Sequence, residues 1–296
     1  MEPCALAECN RSLRSALLNG RAWAINNRKF MCWDKANSPT GNHNMMQSFF
    51  SALSFLTIVR VPHSWCGDKT ALSRSLDWYA VVGLLIGAVM ALLDHLLCAT
   101  MPGTLLPSAL LVVALIAVSG GLHIDGVADS ADAFMSSRDR DTMLTIMKDS
   151  RVGAMGALTL TGLLLIKFAA LASLPSETRW PVILLTPLAG RVALVLPLVS
   201  LPYARPGGLA TLSHQQAEPR HAWLAASLLL VTALMVLQGR GLIIASLVLL
   251  ATLLFGRYCR GKIGGFTGDT LGATCELAEL VTLIAAVLVL PHGGLS

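Results

Sequence analysis

The chain has 296 residues, of which 54% are hydrophobic and only 13% charged, with a mean hydropathy of +0.66. A water-soluble domain usually carries about a quarter of its residues as charges, so the composition excludes an ordinary soluble protein. The net charge of +5 comes mostly from the first 44 residues, and no affinity for nucleic acid is expected.

The first 44 residues differ from the rest of the chain. They are polar and mixed in charge, and they contain no apolar run of signal-peptide length. Met45 and Met46 open the first hydrophobic stretch. We interpret residues 1–44 as an extension that is either disordered or the result of a misassigned start, and residues 45–296 as one membrane domain.

The apolar residues of the membrane domain form blocks close to the ~20 residues that cross a hydrocarbon core of about 30 Å as a helix. The pattern predicts an all-α, polytopic membrane protein, because helices satisfy their own backbone hydrogen bonds in lipid. The stretch Phe49–Val59 is too short to cross alone and predicts an interfacial or re-entrant helix. About seven transmembrane helices are predicted: Tyr79–Cys98, Leu105–Leu122, Gly153–Leu174, Pro181–Leu201, Ala222–Gln238, Gly241–Gly256 and Leu271–Leu290.

The loops between these spans differ in positive charge. Before the first span and in the successive loops, the Lys and Arg residues number 3, 0, 4, 1, 2, 1 and 3. Short cytoplasmic loops retain positive charge, so the N-terminus is predicted inside and the C-terminus outside. Segments 121–151, 202–221 and 257–270 are then neighbours on the cytoplasmic side.

An acidic segment follows directly on the second predicted span. At about 100° per residue, Asp125, Asp129 and Asp132 share one face of a helix. Three such carboxylates raise each other's pKa unless a cation lies between them, and Mg²⁺ shared with phosphate oxygens would serve. The alternative is a solvated acidic helix face. His123 is a candidate metal ligand or general base, although on a helix it would point away from the triad; the alternative is a structural or phosphate-facing histidine.

Two further polar segments precede membrane spans. In the first, Lys148 and Arg151 flank Asp149, which suits binding of a phosphate while the acid orients a cation or a hydroxyl. The alternative is a charge cluster that only fixes topology. In the second, glycines precede Thr267-Gly268-Asp269, so the backbone can approach a ligand at the start of the last helix.

The predicted spans themselves contain charged residues. Glu276 and Glu279 lie in the last span, where pairing with Lys167 or Arg191 is the structural alternative to a function. For Lys167 the structural role is favoured. For Arg191 two roles remain: neutralising these acids or binding phosphate.

The three polar segments resemble the hallmark motifs of the cobalamin synthases, also called adenosylcobinamide-GDP ribazoletransferases. The motifs are the Gly-Gly-Leu-His-Ile-Asp-Gly-Val-Ala-Asp-Ser-Ala-Asp, Lys-Asp-Ser-Arg-Val-Gly and Gly-Gly-Phe-Thr-Gly-Asp-Thr-Leu-Gly-Ala sequences at 120–132, 148–153 and 264–273. The resemblance runs from about Met46 to the last span. Ala133 stands where many relatives have glycine, and the 44-residue extension is unmatched.

The resemblance implies a step near the end of vitamin B12 assembly. Adenosylcobinamide-GDP reacts with α-ribazole or its 5′-phosphate, so that a phosphodiester forms and GMP is released. Such proteins need Mg²⁺ and lie in the bacterial inner membrane. Beyond the substrates and the lipid bilayer, the expected partners are further copies of this chain or other cobalamin-pathway enzymes.

The resemblance also gives each site residue an expected role. Asp125, Asp129, Asp132 and Asp269 are expected to hold Mg²⁺. A nearby acid or His123 is expected to accept the proton of the attacking hydroxyl, with Asp149 as a further catalytic candidate. The expected substrate-binding residues are Lys148, Arg151, Arg191, Thr267, Gly268 and Asp269.

Other functions would require similar residues. A CDP-alcohol phosphotransferase needs Arg where Asp129 follows Ala128, and an aspartate-rich prenyltransferase usually carries a second acidic motif that segment 264–273 matches poorly. A transporter would place intramembrane charges along an ion path, but no inverted repeat is evident in the spans.

Overall fold

A computed structural model describes residues 45–62, 64–66, 74–205 and 213–290. The interpretation of residues 1–44 lies outside the described residues. Within them the chain is α-helical, and an isolated β-bridge joins Tyr203 to Phe266. The predicted all-α class is confirmed.

The helices in chain order define the fold. They are α1 (Met45–Leu56), α2 (Leu76–Thr100), α3 (Leu105–Val118), α4 (Leu122–Met135), α5 (Arg140–Ile146), α6 (Ala154–Ser173), α7 (Ser176–Ser200), α8 (Pro219–Ile263) and α9 (Gly268–Val289).

The long helices carry the membrane character of the protein. Among the described residues, α2, α6, α7, α8 and α9 are long and apolar enough to cross a membrane, and the bent pair of α3 and α4 makes a sixth if it is one span. α1 is apolar but only 12 residues long, as the short first helix was predicted to be. A polytopic membrane protein is therefore confirmed, while the total of seven crossings stays a prediction.

The second predicted span ends earlier than expected. α3 has 14 residues, and α4 leaves it at an angle of 89°. Gly120 and Gly121 lie between them with φ of 60° and 73°, a left-handed conformation that glycine adopts without strain and that ends a right-handed helix. The acidic segment on α4 thus turns away from the axis of α3.

α8 contains a reversal of the chain. Gln238 has non-helical backbone angles (φ 54°, ψ −141°), and a Cβ atom at Gly241 would lie 2.0 Å from the carbonyl oxygen of Ala233. Residues eight apart in a continuous helix are separated by about 12 Å. α8 is therefore a hairpin of two helical arms, in agreement with the two spans predicted on either side of this point.

α7 is the central helix of the bundle. It packs against α2, α8 and α9, and most of its side chains are buried. Contact with α2 depends on Gly87, where a Cβ atom would lie 2.2 Å from the carbonyl oxygen of Leu184. The backbones of α2 and α7 are therefore in direct contact.

Buried ion pairs fix the helices relative to one another. Lys167 Nζ on α6 lies 2.6 Å from Glu276 Oε2 and 2.7 Å from Glu279 Oε2 on α9, and Arg191 on α7 pairs with Glu279 at 2.5 Å. The structural alternative for Glu276 and Glu279 is therefore the one observed.

A second buried ion pair lies near the end of the bundle that is opposite to the acidic helix α4. Asp94 on α2 accepts hydrogen bonds from Arg179 Nε and an Arg179 terminal nitrogen at 2.8 and 2.7 Å. Both side chains are almost fully buried, at 6% and 4% exposure. This pair joins the end of α2 to the start of α7.

Replacing Lys167 by Met should destabilise the bundle by about 3 kcal/mol, because two buried carboxylates lose their shared cation. The measurement is the unfolding of the purified protein in detergent with increasing SDS. Leu165→Met on the lipid-facing side of the same helix is the matched control, since Leu165 is 61% exposed. Equal unfolding of the two variants would contradict a stabilising role for the cluster.

Candidate active site

The structure brings together the three segments that were predicted to be neighbours, 121–151, 202–221 and 257–270. Arg140 at the start of α5 donates from Nε to the carbonyl oxygen of Ile263 at 2.8 Å and from NH2 to that of Ala204 at 3.0 Å. These bonds join segment 121–151 to the ends of α7 and α8. The side of the membrane on which they lie stays a prediction.

Helix α4 crosses the start of α9 at very short range. A Cβ atom at Gly126 would lie 2.4 Å from the carbonyl oxygen of Asp269, and one at Gly272 would lie 2.9 Å from that of His123. Only glycine allows the two backbones to approach this closely. The crossing brings Asp125 and Asp129 of α4 beside Asp269 of α9.

The three carboxylates of this crossing share one electrostatic environment. Partial burial raises the pKa of Asp125, and the charge of Asp269 raises it further. The pKa of Asp129 is raised to about 8, first by burial and then by Asp125, Asp269 and Asp132. This excess of negative charge favours a bound cation.

A shared Mg²⁺ ion fits this arrangement of acids. Among the described residues, no three potential ligands are gathered tightly enough to hold a metal by themselves. Mg²⁺ is commonly bound through one or two carboxylates while water and substrate phosphates fill its other positions. Asp125, Asp129 and Asp269 supply such oxygens at the mouth of the bundle.

Asp132 has partners that the sequence did not reveal. Its Oδ2 accepts a hydrogen bond from the Gly153 N–H at 2.7 Å, and its Oδ1 accepts one from the Gly156 N–H at 2.8 Å. Cβ atoms at these two glycines would lie 2.4 and 2.5 Å from the carboxylate oxygens. Asp132 therefore caps the N-terminus of α6, a role that helical spacing alone could not separate from metal binding.

The start of α9 forms the other wall of the site. Thr267 caps the helix, because its hydroxyl accepts the Thr270 N–H at 3.2 Å while the Thr270 hydroxyl accepts the Thr267 N–H at 2.8 Å. Gly268 is exposed, and a Cβ atom there would meet no other atom within 4 Å. The site thus borders the N-terminus of α9, an end of a helix that favours anions.

Sequence reasoning missed Arg205 as a site residue. Its NH2 lies 2.9 Å from Asp269 Oδ2, and its side chain is 14% exposed. In the sequence, Arg205 stands out only as one of the two cations of the loop between the fourth and fifth predicted spans. Its proximity to Asp269 depends on the bridge between Tyr203 and Phe266, which no local pattern signals.

The segment before α6 is exposed. Arg151 pairs with Asp149 at 2.6 Å, and these hydrogen bonds lower the pKa of Asp149. Lys148 is exposed beside them. Within the described ranges no hydrogen bond or ion pair links the three residues to Asp125 or Asp129, but the Gly153 bond to Asp132 holds their segment against α4.

His123 and Arg191 lie inside the bundle. His123 is 3% exposed at the crossing of α4 and α9, on the face away from the exposed Asp125. Arg191 is 1% exposed and pairs with Glu279, so the structure does not bring it to the carboxylates of the crossing. Their roles in proton transfer and phosphate binding stay predictions.

Comparison with known proteins agrees with the three motifs. The family model of cobalamin-5-phosphate synthase matches residues 48–287. An adenosylcobinamide-GDP ribazoletransferase of Ectopseudomonas mendocina (strain ymp) is 41% identical over 242 residues, covering 80% of this chain and 97% of the relative.

Two more relatives carry the same description. One from Pseudomonas fluorescens (strain Pf-5) is 40% identical over 82% of this chain and 100% of its own length. One from Roseiflexus sp. (strain RS-1) is 38% identical over 81% of this chain and 89% of its own length. No solved structure matches the chain. The match over most of the chain shows that this protein belongs to the cobalamin-5-phosphate synthase family.

Proposed function

We propose that the protein is an adenosylcobinamide-GDP ribazoletransferase. It joins adenosylcobinamide-GDP to α-ribazole or α-ribazole 5′-phosphate and releases GMP, which completes the nucleotide loop of the cobalamin. The observation that carries the proposal is the crossing of α4 and α9, which brings the acids of two family motifs together beside the helix N-terminus. The relatives named above carry this activity in their descriptions.

The reaction is a displacement at phosphorus. A ribose hydroxyl oxygen forms the new P–O bond, the P–O bond to GMP breaks, and the hydroxyl proton passes to an acid of the site. Mg²⁺, when bound, neutralises charge on the diphosphate. Asp125, Asp129 and Asp269 are the residues that would hold it, while the N-terminus of α9 would favour the negative charge of the phosphates.

The proposal includes a location for the site. The Lys- and Arg-containing segments 138–151 and 257–262 lie at the same end of the bundle as the acids, which favours the cytoplasmic face of a bacterial inner membrane. Both the diphosphate and the ribazole would then reach the site from the cytoplasm. A homo-oligomer or a complex with other pathway enzymes stays a prediction.

The test of the function is GMP release from adenosylcobinamide-GDP by the purified protein in detergent or lipid. Release should require both α-ribazole (or its phosphate) and Mg²⁺, and should produce a cobalamin in equal amount. Folded protein that releases no GMP with either acceptor would overturn the proposal.

Mg²⁺ binding should depend on pH through Asp129. A carboxyl with a pKa of about 8 carries a proton at neutral pH, and that proton must leave when a cation binds. Affinity for Mg²⁺ should therefore rise between about pH 6 and pH 8 and then level off. Calorimetry in buffers of different ionisation enthalpy counts the protons released, and Asp129→Asn should reduce both the release and the pH dependence.

The same group makes the stability of the cation-free protein depend on pH. The pKa of Asp129 is raised from about 3.9 in the unfolded chain, so the folded state binds the extra proton. The raised pKa of Asp129 contributes fully to the free energy of unfolding below about pH 3.9, the unfolded-state pKa. This contribution is lost as the pH rises towards 8. A cation-free protein whose stability rose over this window would contradict the assignment.

Asp132→Asn should separate a capping role from metal binding. An asparagine oxygen can accept from only one side of the side chain, so one of the two bonds to Gly153 and Gly156 is lost and stability falls by about 1 kcal/mol. The Mg²⁺ concentration for half-maximal rate should stay near that of the wild type. A large shift in that concentration would make Asp132 a metal ligand instead.

Gly268→Ala should keep the fold and lose activity. The added methyl group meets no atom of the protein and favours the helix, so stability should be unchanged or raised by up to about 1 kcal/mol. A ligand seated on the first turn of α9 would collide with it, and KM for adenosylcobinamide-GDP should rise at least about tenfold. Gly261→Ala, also in open space but on α8, is the matched control and should leave KM unchanged.

A further inference from the structure

The segment that carries Arg205 is fixed against the start of α9. The Phe266 N–H donates to the Pro202 carbonyl at 3.0 Å, and the Ala204 N–H donates to the Phe266 carbonyl at 2.8 Å. A Cβ atom at Gly265 would lie 2.0 Å from the Pro202 oxygen, so the two strands of chain are in direct backbone contact. The backbone of Arg205 is therefore held in register with the turn that precedes Asp269.

Not every donor of the Arg205 guanidinium group has a hydrogen-bond partner in the described structure. One terminal nitrogen lies 2.9 Å from Asp269 Oδ2 and 3.5 Å from the Leu144 carbonyl oxygen. Nε is shielded from solvent and has no hydrogen-bond partner in the described structure. A charged donor that is removed from water and left without an acceptor is unfavourable, so the group is suited to an acceptor that arrives from outside.

Arg140, at the same end of the bundle, is a structural arginine and serves as a comparison for Arg205. Its Nε donates to the Ile263 carbonyl at 2.8 Å, and its two terminal nitrogens reach the Ala204 carbonyl and Asp141. Each of these donors has an acceptor within the protein. Arg205 therefore differs from Arg140 by a free donor beside the acidic cluster.

The charge around Arg205 defines the class of acceptor. Its positive charge acts on Asp129 as well as on Asp269, so it lies within the electrostatic range of the whole crossing. A cation bound by these carboxylates would compete with Arg205 for Asp269. The guanidinium fork would then be available to an anion bound to that cation, and phosphate oxygens match its geometry.

We propose that Arg205 binds a phosphate oxygen of the nucleoside diphosphate through its Nε–H, and exchanges Asp269 for this ligand when the site fills. The inference rests on the proposed function for the identity of the diphosphate. It makes Arg205 a substrate-binding residue that comes from the segment between α7 and α8, which carries none of the three motifs. The diphosphate would thus be contacted from α4, α9 and this third segment.

The test is binding of GDP in the presence of Mg²⁺, measured by calorimetry on the full-length protein in detergent. Arg205→Lys keeps a cation beside Asp269 but removes the Nε donor and the planar fork. The GDP dissociation constant should rise roughly tenfold to a hundredfold, and KM for adenosylcobinamide-GDP should rise with it while kcat changes less. Arg220→Lys is the matched control, because Arg220 is 64% exposed and pairs only at the surface with Glu218.

The outcomes separate this inference from the proposed function. Turnover by the wild type with equal GDP binding by Arg205→Lys would overturn the inference and leave the transferase standing. Absence of turnover together with GDP binding that requires Arg205 would overturn the transferase and leave the phosphate contact. No GDP binding by the wild type would also overturn the inference.

Discussion

The site depends on the contact between two backbones where α4 crosses α9. Gly126 and Gly272 mark the two points at which a Cβ atom would collide with the other helix. A larger residue at either point would push the helices apart and separate Asp125 and Asp129 from Asp269. The same crossing needs α4 to lie at a steep angle to α3, which the two left-handed glycines between these helices allow.

Charges are paired inside the bundle and left in excess at its end. Lys167 and Arg191 are matched by Glu276 and Glu279 in the interior of the spanning helices. Two turns earlier on α9, Asp269 faces the acids of α4. Among the described contacts of the crossing Arg205 is the one cation paired there. One helix therefore carries carboxylates with a structural role in its middle and a carboxylate open to ligands at its start.

The sequence predicted those features that depend on local pattern. Apolar blocks located the arms of the α8 hairpin, and loop charges placed the three polar segments at one end. Spacing placed the aspartates of α4 on one face, but it could not show that Asp132 faces α6 while Asp125 and Asp129 face α9.

Features that depend on distant contacts were not predictable from the sequence. Arg205 was missed because its position follows from pairing of residues 202–204 with Phe266, more than 60 residues away. Gly120 and Gly121 mark a turn, but the angle of α4 is set by its packing on α9.

The ion pairs also impose an order on membrane insertion. The chain is made from its N-terminus, so Asp94 of α2 is already in place when Arg179 enters with α7. Lys167 and Arg191 are likewise synthesised before Glu276 and Glu279, the acids that neutralise them. α6 and α7 must therefore hold two unmatched cations within the apolar layer until the last helix arrives. The arrival of α9 then completes the charge balance of the bundle and the wall of its site in a single step.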